Sequence, residues 1–540
     1  MEEVADSKEA CLVWRARLPE AGKDPRVAAQ LAREANGRGE HMLALSVAQR
    51  ALRGLSLVSD PREAMPLRQQ IALALARSGS TEEAMEVLRD AMVASAEDSE
   101  TLGLMGRLHK DLAESATKPA EAVRHREQAL EFYARGFAAD RSPYCGINTA
   151  VLAALTGDMR WSQQVAAHLL GLPPEEDRLW TVATMALVYM IIGQRDGARE
   201  SLRLVGRLGR TRRSDLAVVR REVRSLVAAL QEEAEFYDTC FEPAAVAVYH
   251  SNELKMGDVE QSRLGRWIDE NHVVCAWSAG ASAGEGDFLQ YAAALGVETC
   301  AVLPEAVPRP KCRTGVERAS LVDFSGEGMT DRRAAEDLAR RVATARAAAR
   351  AASWDVPLLP LADGPVPAFW AGLPQEAFTL GDPQTLAPAA PAPDGGMRAL
   401  LCVWPSPRGT KRNGTAEVRA IWESHPARCG AANGDGGPYF FGWSSMAEAG
   451  AAAAVLRQEL EAGAAQAGCA YVLHASAQEQ ADRRLGDWAQ RVYPGRLHAT
   501  GRFADLAALE SRRNFDLCYV GSIDCQAEPL GVRLYHLQPK

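Results

Sequence analysis

A helical pair that recurs with a glycine at its turn restricts this chain more than any other feature. Residues 71 to 92, IALALARSGSTEEAMEVLRDAM, place Gly79 at the turn and Ala84 at the start of the packed face of the second helix. Related pairs surround Gly39, Gly157 and Gly193, and Ala44 follows Gly39 at the interval by which Ala84 follows Gly79. The glycines are 40 residues apart from Gly39 to Gly79 and 36 apart from Gly157 to Gly193. Each pair carries an apolar stripe at i, i+3, i+4, i+7 that only a neighbouring pair can cover, so stacking is the expected outcome. Residues 25 to 235 are therefore predicted to form an all-α solenoid after an N-terminal tail, residues 1 to 24.

The intervals are near the tetratricopeptide period of about 34 residues. A groove lined by helices is a surface for peptides or other proteins, so a protein partner is expected here. Within this region SETLGLMGRLHKDL (99 to 112) and YARGFAADRSPYCGINTAVLAAL (133 to 155) resemble the TRAFs-binding, tetratricopeptide-like domain of the apoptosis signal-regulating kinases and its bacterial relatives. The residues that carry the resemblance are Gly103, Gly106, Lys110, Asp111, Gly136, Phe137, Tyr144, Gly146, Ile147 and Asn148. Without the family, Tyr144 to Asn148 reads as a turn entering a helix, with Gly146 at an unusual backbone angle and Asn148 as N-cap. No kinase motif follows, so the resemblance implies binding and not phosphoryl transfer.

With 540 residues and 47% hydrophobic composition the chain can bury several cores, and three or four units are expected. The net charge of −9 repels a nucleic-acid backbone. The arginine run RLGRTRRSDLAVVRREVR, residues 207 to 224, could track phosphates, but its helical period and a cap at Ser214 to Asp215 predict a solvated last repeat helix. Nucleic acid is not an expected partner. The acidic start MEEVADSKEA carries no apolar h-region, and the apolar run from Trp180 to Gly193 falls short of the roughly 20 residues of a membrane span. It predicts a buried helix and no membrane partner. Eleven cysteines stand singly, with no CxxC pair and no His–Cys cluster, which suits a reducing, cytoplasmic setting, buried thiols and no metal site.

From 244 onward short apolar runs alternate with helices. AAVAVYH (244 to 250), HVVCAW (272 to 277) and TCAVLP (299 to 304) read as buried parallel strands of an α/β domain spanning 244 to 425. Residues 356 to 396 hold nine of the 28 prolines, a Pro-rich insertion whose last part is expected to be a flexible or extended connector, and a strand follows at 397 to 405. The loop SAGASAGEGD after the second strand holds Gly280, Gly284 and Gly286 and enters a helix expected to begin near Asp287, a junction able to face a phosphate. It matches neither the dinucleotide fingerprint nor the P-loop. Gly280, Gly284, Gly286 and Asp287 are the candidate ligand-binding residues.

The order of strand, Gly-rich loop, helix and LGVETCAVLP resembles Rossmann-like domains of the SLOG type, with 400 to 422 as a closing strand, loop and helix. That resemblance implies sensing or processing of a nucleotide-derived ligand, although Ala292 stands near where relatives would carry a helix carboxylate. Residues 430 to 540 resemble the later two-thirds of a class III nucleotide cyclase, with NGDGGPYFF at the hairpin. The resemblance implies Asp435 as a metal carboxylate and Arg491 as a transition-state residue, the weak catalytic candidates of this chain. The first strand and its aspartate are read as missing, Ala431 lies where the base-selecting lysine would fall, and Asp487 replaces the asparagine that would pair with Arg491. Two metals need two carboxylates.

The expected fold is thus a tetratricopeptide-like solenoid, a Rossmann-like α/β domain and an α+β cyclase-like domain. The expected function is a noncatalytic signalling scaffold whose repeats bind a protein, whose Rossmann-like unit senses a nucleotide-derived ligand, and whose pseudo-cyclase tail aids assembly into a homo-oligomer. The competing expectation is a nucleotide-processing enzyme, either a cyclase or a nucleotide hydrolase.

Overall fold

The computed structural model describes residues 21, 24–37, 40–55, 61–173, 177–251, 258–304, 321–325, 332–363, 367, 370, 378–379, 398–405, 414–429, 438–462, 469–476, 483–492, 496–510, 515–525 and 528–539. The first part is helical: α1 Pro25–Gly37, α2 His41–Gly54, α3 Pro61–Arg77, α4 Thr81–Ala94, α5 Ser99–Ser115, α6 Pro119–Asp140, α7 Pro143–Leu155, α8 Met159–Leu169, α9 Arg178–Ile191, α10 Arg195–Leu208, α11 Arg213–Leu230 and the short α12 Ala234–Asp238.

One turn closes four of the pairs. Gly79, Gly157 and Gly193 take positive φ (80°, 90° and 77°), which only glycine adopts without strain. The amide after each donates to the carbonyl five residues back: Ser80 to Leu75, Asp158 to Ala153 and Gln194 to Tyr189, as Glu40 does to Ala35. This Schellman bond ends the first helix and fixes the entry angle of the second. Four residues further on, Ala44, Ala84, Ser162 and Ala198 are wholly buried, because the two helices cross there and leave no room for a larger side chain. The apolar run at Trp180 is the buried helix α9, and no described helix is long and apolar enough to cross a membrane.

The odd-numbered helices α1, α3, α5, α7, α9 and α11 each pack on the next odd-numbered one. Curvature brings the elements of the concave side together, so these helices line the inner face of the solenoid.

Beyond the solenoid lie two sheets. The first contains β1 Ala245–Ser251, β2 Val273–Ser278, β3 Glu298–Pro304, β4 Leu321–Ser325, β5 Leu358–Asp363 and β6 Phe378–Thr379, with α13 Asp258–Glu270, α14 Ala283–Ala294 and α15 Arg332–Trp354. Its order is β4-β3-β2-β1-β5-β6, and its pairings are parallel. Along β1 the side chains alternate, as a strand buried on both faces requires. Ala247 and Tyr249 pack with Leu264 and Phe288 of α13 and α14, while Val246 and Val248 pack with Ala339 and Val342 of α15.

The second sheet contains β7 Arg398–Pro405, β8 Arg428–Cys429, β9 Tyr439–Trp443, β10 Cys469–Ser476, β11 Leu497–Thr500, β12 Phe515–Cys525 and β13 Glu528–Pro539, with α16 Gly414–Ser424, α17 Met446–Ala462, α18 Arg483–Ala489 and α19 Gly501–Glu510. Its order is β12-β13-β11-β10-β7-β9-β8. This corrects the boundary read from the sequence. The strand at 397 to 405 and the helix after it close nothing in the parallel sheet; β7 pairs antiparallel with both β10 and β9 in the second. The strand expected to be missing before the hairpin is therefore present. Its eight apolar-rich residues fit a central strand of either sheet, so composition could not assign it.

Helix α15 lies between the sheets, touching β1 on one side and α19 on the other, where Arg346 Nε meets Asp505 Oδ2 at 3.1 Å. The solenoid touches both sheet units. Its α11 packs on α15, and the buried Glu40 accepts from the Tyr519 hydroxyl (3.1 Å) and the Ser522 amide (3.0 Å) of β12.

Candidate functional site on the inner face of the solenoid

The family-like residues of α5, α6 and α7 are mainly packing devices. A Cβ on Gly106 would stand 2.8 Å from the Tyr133 ring, one on Gly136 would stand 2.8 Å from Cys145 Sγ, and one on Gly146 would stand 2.7 Å from Leu169 and Phe137. The absent side chains let three helices approach closely. Gly146 therefore serves contact and not an unusual backbone angle, and Asn148 is not an N-cap. Helix α7 starts at Pro143 after Ser142, and Asn148 lies inside it with Nδ2 donating to the Tyr144 carbonyl at 2.9 Å. Proline at the first helical position supplies the start signal that Asn148 was read as giving.

That packing presents a polar surface. Gly103, Arg107, Lys110, Asp111 and Glu114 recur along α5 at the spacing of one helical face. A Cβ on Gly103 would lie 3.0 Å from the Tyr144 ring, so this face looks toward α7. Tyr144 is 40% exposed, and its hydroxyl is hydrogen-bonded at 3.2 Å to that of the buried Tyr133. Lys110 forms an ion pair with Glu222 of α11, spanning the groove. Arg77, in the last turn of α3, completes the group.

The electrostatics of this surface are those of a crowded cleft. Burial raises the Asp111 carboxyl, and Arg107, Arg77 and Lys110 only partly offset it. Burial lowers Arg77, with the charge of Arg107 adding to the effect. His41 falls to about 4 through burial, then Arg77 and Arg107. Cationic and hydrogen-bonding groups converge here on an open surface, the composition of a recognition groove.

The Gly-rich loop is organised differently from the expectation. Helix α14 begins at Ala283, four residues before Asp287, because Ser282 and Glu285 form a reciprocal capping box. Gly280 has φ of 58°, while Gly284 and Gly286 lie buried in the first helical turn. Glu285 is fully buried and accepts from the amides of Ala281 (2.8 Å) and Ser282 (3.1 Å) and from Arg340 Nε (3.0 Å). Burial pushes its carboxyl up, but His250, whose Nδ1 lies 3.4 Å from Oε1, and the charge of Arg340 outweigh that and hold it below the ordinary range. Where an incoming anion would lie against the helix N-terminus, the chain places its own carboxylate. The sequence hid this because GEGD reads as loop until the box is recognised.

Asp435 lies outside the described residues, and Arg491 is exposed in the turn after α18. The arginine run is not a free basic surface. Arg212 pairs with Asp177 at 2.7 Å and Asp215 at 2.6 Å, Arg210 with Glu242, and Arg224 with Asp355 at 2.6 Å. The helix starts after Arg212, not at a Ser214 cap, and part of the face read as solvated docks on α15.

Sequence spacing also missed Cys275, Glu298 and Cys300, whose ligand atoms lie within 4.8 Å of one another across β2 and β3. Three donors fall short of a tetrahedral set, and a hydrogen bond with Cys300, then burial, keeps the Cys275 thiol well up and uncharged. They are read as core.

The family model described as tetratricopeptide repeats-sensor matches residues 40–153, the segment that supplies α2 to most of α7. A thermophilic tetratricopeptide protein of Thermus thermophilus is 18% identical, with 38% of this chain and 99% of that one covered and a TM-score of 0.30. YrrB, a tetratricopeptide protein with an unusual peptide-binding site, is 16% identical over 35% of this chain and 88% of its own, at a TM-score of 0.23. The human IFIT1 dimer with PPP-AAAA is 14% identical over 42% and 57%, at 0.30. No curated protein matches. The repeat region is tetratricopeptide-like.

Proposed function

We propose that this chain is a noncatalytic scaffold of cytoplasmic signalling whose solenoid recruits a protein partner through its inner face. The observation that carries this reading is the open surface of Arg77, Arg107, Asp111 and Tyr144, held in place by close helix packing around Gly103, Gly106 and Gly146. Tetratricopeptide-type solenoids are protein-binding scaffolds, and their inner helices supply the contacts. The parallel sheet, in this reading, is a Rossmann-like unit of SLOG type. With Glu285 against the amides of Ala281 and Ser282, a nucleotide-derived ligand would have to displace that carboxylate or bind elsewhere. The second sheet is read as a pseudo-cyclase that serves assembly. In support, β7 stands at its centre and carries no carboxylate along RALLCVWP.

The test is site-specific photocrosslinking in the native host. A benzophenone side chain at Tyr144 is expected to give discrete protein adducts. The same group at Val93, 89% exposed on α4, is expected to give none of them. Identical adducts from both positions, or none from Tyr144, would overturn the reading.

A further inference from the structure

The ion pair between Lys110 and Glu222 joins helices that are not neighbours in the stack. Helix α11 packs on α7 and α9, and Lys110 of α5 reaches past α7 to meet it. Gly103, against which the Tyr144 ring stands, lies two turns before Lys110, about 10 Å along the helix. The inner face is therefore open at Tyr144 and strapped further on. The strapping side chains are only 17% and 23% exposed, so a peptide that runs along α5 from Tyr144 meets a pair already partly withdrawn from water. Helix α11 is held from behind: Arg224 pairs with Asp355 at 2.6 Å, and Arg220 Nη1 donates to the Asp355 carbonyl at 3.2 Å. Space along the groove is thus gained by exchange of the two strapping side chains and not by departure of the helix.

What replaces Glu222 is set by what it leaves behind. Its release frees a lysine already placed for a carboxylate. On α11 the other acidic residue, Asp215, is taken by Arg212, while Arg213, Arg220, Arg221 and Arg224 are basic. Asp111 and Glu114 share the face of α5 with Lys110 and oppose a run of acidic residues, so one carboxylate fits where several do not. We propose that Glu222 is a built-in competitor for an acidic side chain of the recruited protein: it holds the groove closed on Lys110, and an aspartate or glutamate of the partner takes Lys110 in its place. The proposal rests on the reading that the inner face recruits a partner, and it names the group that face admits and the contact that regulates its entry. An internal competitor lowers the apparent affinity in proportion to the fraction of chains in which the pair is open.

The experiment uses the full chain. Random peptides displayed on phage are selected on it, and one selected peptide is synthesised and its binding followed by fluorescence anisotropy. Selected sequences are expected to share an aspartate or glutamate, whose replacement by the amide weakens binding by about fivefold, the worth of one partly buried ion pair. Glu222→Gln removes the competitor and keeps Lys110, and should bind the peptide about fivefold more tightly. Lys110→Gln breaks the same pair and should bind it more weakly. Lys110→Arg should stay near wild type, and Arg419→Gln, at an exposed arginine of α16, should be unchanged. The opposite signs separate a competitor from a strut. If the pair only braced the groove, both Gln variants would move the affinity alike, and that result would overturn the proposal. Peptides without a shared acidic position, bound alike by all the chains, would also overturn it, while discrete adducts from Tyr144 would keep recruitment standing. No enriched peptide and no adduct from Tyr144 would remove the recruitment reading and this proposal together.

Discussion

Gly146 shows how a residue can be legible as important and still be assigned the wrong reason. Its backbone is ordinary helix, and what it provides is the space that Leu169 and Phe137 fill. Gly146→Ala should therefore cost about 1–3 kcal/mol through overpacking, read as a lowered midpoint in urea at unchanged slope. Gly157→Ala meets no neighbour but holds φ of 90°, and should cost about 1 kcal/mol through backbone strain alone. The turn glycines were legible because their role is local; the packing glycines depend on side chains of other helices, nine or more residues away. Glu285 makes the same point with charge. Glu285→Gln removes the anion that pairs with the mostly buried Arg340, and a loss of about 3–5 kcal/mol is expected. The carboxyl is held below its ordinary value in the folded state, so its stabilisation is present above the unfolded value of about 4.3 and is lost as pH falls through the lower folded one. Urea midpoints of wild type and variant should converge as the pH is lowered from 7 toward that range. A gap that stays constant would show that the ion pair is not its source.

At the scale of elements, the helical pairs were readable because each carries its own stop signal and its own stripe. The strands were readable as strands but not as members of a sheet. β7 is the case in point, since apolar residues on both faces say that a strand is buried without saying between which neighbours. A fragment beginning at residue 430 lacks the strand that separates β10 from β9. It should be insoluble or unfolded, whereas one beginning at residue 398 should give a cooperative thermal transition. Equal behaviour of the two fragments would restore the boundary near 425. The same strand decides the chemistry expected of the tail. Metal-assisted attack of a 3′-oxygen needs two carboxylates to clamp two ions, and β7, central and neighbour to the hairpin, offers none. The purified chain should form no cyclic nucleotide from ATP or GTP with magnesium or manganese. Product above an Asp435→Ala control at matched concentration would show that reading wrong.

Across the whole molecule, the contacts that set how the parts meet join residues hundreds of positions apart, and no local pattern announces them. Glu40 follows the first repeated turn and, read alone, is a surface carboxylate; in the structure it is buried against the β12–β13 hairpin, accepting from Tyr519 and Ser522. Gly521 permits this approach. Its φ of 131° turns the hairpin backbone toward α2, and a Cβ there would lie 3.1 Å from Glu40 Oε2. A second tie, Arg496 to Glu83 at 2.6 Å, holds the second sheet to α4, while α11 rests on α15 at the other end of the solenoid. The repeats are thus held to the α/β part at both ends, and the early tie is made by polar groups that lose their partners if the ends separate. Glu40→Ala leaves the Tyr519 hydroxyl and the Ser522 amide without that acceptor, a cost of about 1–3 kcal/mol that falls on the contact and not on either core. The expected result is local: in hydrogen exchange of the full chain, amides of β12 and of α2 should lose protection together, while those of β1 and α9 keep theirs. Combination with Glu83→Ala should widen the molecule in small-angle scattering, since both polar ties of the early repeats to the second sheet are then gone. Unchanged exchange in β12 would mean that the apolar contacts around Met42 hold the interface without the carboxylate.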